Sequence, residues 1–76
     1  MKNALLVGET DGGRCSLIVE DATWRTIASV ADGLTAVSAR PIVWRVHAVK
    51  TNNVNAALIE AGYGDVPVET PVPVAV

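Results

Sequence analysis

NALLVGETDGGRCSLIVE, residues 3–20, is the stretch on which the fold turns. Two β-favouring runs, NALLVGE and RCSLIVE, flank the turn-forming group Thr10-Asp11-Gly12-Gly13. That arrangement predicts a β-hairpin with strands near residues 3–9 and 14–20. Everything downstream must then pack on this ribbon, because a two-stranded hairpin is not stable alone in water.

Beyond the hairpin, Asp21 is the expected N-cap of a helix in which Trp24, Ile27, Ala31 and Leu34 share one side. Arg25, Ser29 and Asp32 take the other side, and Gly33 is the expected stop. Pro41 then opens IVWRVHAVK, whose strict alternation predicts a third strand. Its first face, Ile42, Trp44, Val46 and Ala48, is expected to meet the core; its second, Val43, Arg45, His47 and Val49, is mixed. Thr51 or Asn52 is the expected cap of a second helix carrying Val54, Ala57, Leu58 and Ala61, with Gly62 closing it.

The order β-β-α-β-α predicts a small α+β domain over residues 1–64, a three-stranded antiparallel sheet with two helices packed on it. A right-handed crossover puts the third strand beside the first, giving strand order 2-1-3 with both helices over one face. Residues 65–76, DVPVETPVPVAV, follow as an extended tail. Pro67, Pro71 and Pro73 fall at odd positions, and Val66, Val68, Val72, Val74 and Val76 at even ones. In an edge strand this parity removes backbone donors from one side only and leaves the valine N–H groups to pair on the other. Such a strand adds to its own sheet, exchanges into a second copy or augments another protein's sheet. The alternative is a mobile polyproline II terminus.

Composition bounds the function. Seventy-six residues make one thin core, yet half of them are hydrophobic and only 18% are charged, at a mean hydropathy of +0.35. Apolar surface is therefore left over, and on a small domain such a surplus points to another chain. A formal charge of −2, with Arg14, Arg25, Arg40 and Arg45 scattered, argues against a duplex-binding face. A single cysteine, Cys15, excludes an internal disulfide, and the apolar run near the N-terminus is too short for a signal peptide or a membrane span. The expected location is the cytoplasm.

No motif for chemistry stands out. His47 is the only histidine, and it lacks an acid–base companion in the sequence. One cysteine and one histidine do not make a structural zinc site, and the carboxylates lack calcium-loop spacing. The glycines of VGETDGG lack the Lys-Ser/Thr pair and the following helix of a phosphate loop. No catalytic residue, cofactor or metal is therefore expected.

The candidate contact residues are those of the second sheet face, Ile18, Val43, Arg45, His47 and Val49, where aliphatic ground surrounds an arginine. The amides Asn53 and Asn55 at the head of the second helix and Val72 and Val74 of the tail join them. Trp24 and Trp44 are expected in the helix–sheet core, and either one becomes the leading binding anchor if it is exposed.

The expected role is a non-enzymatic module that docks on a larger protein and modulates or inhibits it. Small chains without catalytic motifs are common among phage and mobile-element products that antagonise host machinery, anti-CRISPR proteins among them. No stretch of this sequence carries a motif of a particular family. The alternatives are a homo-oligomeric structural subunit joined through sheet edges or tails, and nucleic-acid binding through Arg14, Arg40 and Arg45.

Overall fold

The computed structural model of the protein describes residues 3–64. Strands β1 (Asn3–Thr10) and β2 (Gly13–Glu20) form the hairpin, followed by α1 (Trp24–Val37), β3 (Val43–Val49) and α2 (Val54–Glu60). The sheet is antiparallel throughout in the order β2-β1-β3. The expected fold class and strand order are both found.

The turn between β1 and β2 is two residues, Asp11 and Gly12, with Thr10 paired to Gly13. Thr10 Oγ1 closes it, accepting from the Gly12 N–H at 3.1 Å and donating to the Gly13 carbonyl at 3.3 Å. Gly13 has φ +147°, outside the range that side chains favour, which explains a glycine there.

The helices lie on opposite faces of the sheet, which corrects the expectation that both cover one face. The cause is in the central strand: Ala4, Leu5, Leu6 and Val7 are all fully buried, and a run apolar at every position needs cover on both sides. Ala4 and Leu6 pack with Ala22 and Ile27, joined by Leu17, Val19, Val30, Ala31, Trp44 and Val46; this is the α1 side. Leu5 and Val7 pack with Val49, Ala57 and Leu58, joined by Ile18, Val54, Ala61 and Tyr63; this is the α2 side.

Helix α1 begins and ends away from the expected positions. Its N-cap is Thr23, not Asp21, and a capping box with Thr26 completes it: the Thr26 N–H donates to Thr23 Oγ1 at 3.2 Å, and the Thr23 N–H to Thr26 Oγ1 at 2.9 Å. Asp21 instead makes the bend out of β2 at φ +49°. Gly33 does not stop the helix, which runs four residues further to Val37, since an interior glycine costs a helix only about 1 kcal/mol.

Helix α2 is capped by Asn53, not by Thr51 or Asn52; Asn53 Oδ1 accepts from the Ala56 N–H at 3.0 Å. Thr51 Oγ1 serves one step earlier, accepting from the Asn53 N–H at 3.0 Å. The helix closes at Gly62 as expected, with φ +96°. The Gly62 N–H reaches the Ile59 carbonyl at 3.1 Å and the Tyr63 N–H the Leu58 carbonyl at 2.7 Å, the two bonds of a Schellman ending. Tyr63 is thereby folded back onto the core beside Leu58.

Candidate docking surface

Strand parity places Ile18, Val43, Arg45, His47 and Val49 on one sheet face, as the sequence predicts. The register confirms it: Leu5 pairs with both Ile18 and His47, Val7 with Arg45, Glu9 with Val43 and Asn3 with Val49. This is the face onto which α2 folds, and the cover separates the five residues. Val49 is buried in the α2 core and Ile18 packs against it. His47 is half-buried, its Nε2 2.9 Å from the Tyr63 hydroxyl and its ring edge-on to the phenol at 5.3 Å. Only Val43, 62% exposed, and Arg45 reach solvent freely.

The polar groups around that face are tied to one another. Arg45 Nε lies 3.5 Å from Glu9 Oε1 on the neighbouring strand, and the Arg14 guanidinium sits 5.3 Å from the centre of the Tyr63 ring. At the hairpin tip Arg40 Nη1 donates to Asp11 Oδ1 at 3.1 Å. Of the three arginines named for nucleic acid, two thus meet a carboxylate and the third an aromatic ring.

The remaining candidates divide likewise. Asn53 is engaged as the cap of α2, and Asn55 stands exposed in its first turn. Val72 and Val74, and the edge strand expected of the tail, lie outside the described residues. Among the described residues no group of three or more His, Cys, Asp or Glu is placed to hold a metal ion, and no helix is long and apolar enough to cross a membrane. Cys15 is a buried thiol that donates to the Gly8 carbonyl at a sulfur–oxygen distance of 3.6 Å.

The two tryptophans separate. Trp44 lies on the α1 side of the sheet, half-buried, with its indole N–H donating to Thr35 Oγ1 at 2.9 Å. Trp24 is 67% exposed at the first position of α1, which corrects its expected place in the core. The reason is angular. At 100° per residue the inward stripe of α1 is carried by Ile27, Val30 and Ala31, and a residue three before Ile27 falls on its border.

Which border follows from Thr35. Trp24, Ala28, Ala31 and Thr35 succeed one another along one flank of the helix, and the bond from Thr35 to Trp44 shows that this flank faces β3. Ala48 of β3, exposed and on the α1 side of the sheet, pairs with Ala4, which packs with Ala22 and Ile27 near the start of α1. Trp24 and Ala28 therefore lie on the β3-facing flank at the head of α1, an exposed corner with Arg25, also exposed, next in sequence. The sequence signal for this corner was the tryptophan itself. No protein-family model, curated protein or solved structure matches the chain.

Proposed function

We propose that this chain is a non-enzymatic binding module that docks on a larger protein in the cytoplasm and modulates or inhibits it, with Trp24 as the anchor. The observation that carries the reading is the two-thirds exposure of Trp24 at the head of α1. A tryptophan left in water forgoes one of the largest burial gains available to a side chain, and tryptophan is enriched among the residues that dominate interfaces. Ala28, one turn further along the same flank of α1, leaves low ground for a partner, and Arg25 supplies a polar rim.

A homo-oligomeric subunit is the second reading. It is favoured by the sheet's two outer strands, β2 and β3, each of which pairs on one side only among the described residues.

The test is affinity capture with two baits, the intact chain and its Trp24→Ala variant. The proposal expects a stoichiometric partner on the first and at least about 30-fold weaker binding on the second, the equivalent of about 2 kcal/mol for a hot-spot residue. Equal capture by both baits, or none by the intact chain, overturns it. The fold should survive the change, since an exposed substitution of this kind moves stability by about 0.5 kcal/mol or less.

A further inference from the structure

Charge is unevenly divided along the chain. Residues 40–50, RPIVWRVHAVK, hold Arg40, Arg45 and Lys50 and no carboxylate, whereas all eight acidic residues lie outside them in a chain of net charge −2. That segment is β3 with its two flanks, and β3 is an outer strand, paired with β1 on one side only among the described residues. The other outer strand, β2, carries Arg14 and Cys15, both already in contact with other groups.

The edge of β3 is regular. Its pairing with β1 runs without a bulge from Val49 opposite Asn3 to Val43 opposite Glu9, and no proline interrupts Val43–Val49. One row of side chains, Trp44, Val46 and Ala48, is apolar and lies on the α1 side; the other carries Arg45 and His47. Charge is what guards this edge. Arg40 is engaged by Asp11 at the hairpin tip, but Arg45 meets Glu9 only at 3.5 Å with both side chains about half in solvent, where such a pair is weak. A second copy of β3 brings no opposite charge within this segment in any register, and the antiparallel register centred on Arg45 sets two guanidinium groups together. An acidic strand meets no such obstacle.

We propose that the partner lays an extended segment of its own along the outer edge of β3, with apolar and acidic residues alternating. Backbone hydrogen bonds hold it, its apolar side chains continue the row of Trp44, Val46 and Ala48, and its carboxylates continue the row of Arg45. This names the class of partner for the reading of Trp24 and rests on that reading, since the flank of α1 that carries Trp24 faces β3.

A seven-residue probe peptide of alternating valine and glutamate, titrated into the isotope-labelled full chain, tests it. Nuclear magnetic resonance is expected to show shift changes along residues 43–49, slowed exchange of alternate β3 amides, and no change on β2. The same peptide with lysine for glutamate should bind about tenfold more weakly, and Arg45→Glu should reverse the preference. Because the chain as a whole is acidic, unspecific attraction would favour the lysine peptide instead. Absence of binding at millimolar probe, equal binding of both peptides, or changes spread beyond β3 overturns the proposal. So does protection of alternate β3 amides before any probe is added, since the edge is then already covered by its own chain or a second copy. In affinity capture, an Arg45→Glu bait is expected to lose the partner about tenfold. Undiminished capture by that bait overturns the edge mode and leaves Trp24 as anchor, whereas equal capture by the Trp24→Ala bait removes the anchor and leaves the probe titration to decide the edge.

Discussion

Gly8 of β1 and Trp44 of β3 are cross-strand partners, and the indole lies over the space that a side chain at Gly8 would fill. A Cβ at Gly8 would come within 2.8 Å of Ile42 Cγ2 and 2.9 Å of Trp44 Cζ3. The glycine is what lets the ring lie across β1 while its N–H reaches Thr35 on α1. One contact thus joins two strands and the first helix.

Gly8→Ala should therefore be costly although it adds a single carbon. Both obstructing atoms belong to packed side chains, so the expected loss is about 1–3 kcal/mol, as for overpacking elsewhere. Urea unfolding monitored by far-ultraviolet circular dichroism measures it, and an unchanged midpoint would show that the indole is not held over Gly8.

Gly33 should behave in the opposite way. It sits in the interior of α1 with no atom within 4 Å of its missing Cβ, and its φ is not positive. Gly33→Ala is expected to stabilise the domain by about 1 kcal/mol through helix propensity and a less flexible unfolded chain, raising the melting temperature by about 4–8 °C. A lower melting temperature would mean that this face of α1 meets something a methyl group obstructs.

Leu58 and Ile59 are neighbours in α2 with opposite surroundings, 7% and 67% exposed. Leu58→Ala should cost about 2–5 kcal/mol, and Ile59→Ala about 0.5 kcal/mol or less. The pair isolates the docking of α2 from helix propensity, because both substitutions leave alanine in the same helix. Equal costs would remove α2 from the second face of the sheet.

Much of this arrangement was legible in the sequence. Turn residues and period-two alternation located all three strands, and Gly62 located the end of α2, because these signals are local. The side taken by each helix was written less plainly: Ala4-Leu5-Leu6-Val7 already demanded cover on two faces, but the alternation of β3 suggested one. Gly33 misled because a glycine in a helix interior costs only about 1 kcal/mol, too little to end a helix by itself.

The candidate site was half legible for the same reason. Strand parity grouped Ile18, Val43, Arg45, His47 and Val49 correctly on one face. Whether that face was open depended on the direction in which residues 50–53 turn the chain, and no residue there announces it. Trp24 shared its helical spacing with Ile27, but a step of three residues turns it about 60° from Ile27, to the border of the inward stripe, and the spacing alone does not say on which side of that border it falls.

The proposed docking role requires Trp24 to be open in the isolated chain, and the two indole N–H groups report on this directly. Hydrogen exchange of both indole signals in the unaltered protein, followed by nuclear magnetic resonance over a wide range of protein concentration, separates them. The Trp24 proton is expected to exchange at close to the rate of a free indole at every concentration, while the Trp44 proton is slowed by its bond to Thr35. Protection of both, or protection of Trp24 that grows with concentration, would contradict it, because the anchor would then already be buried against its own chain or a second copy.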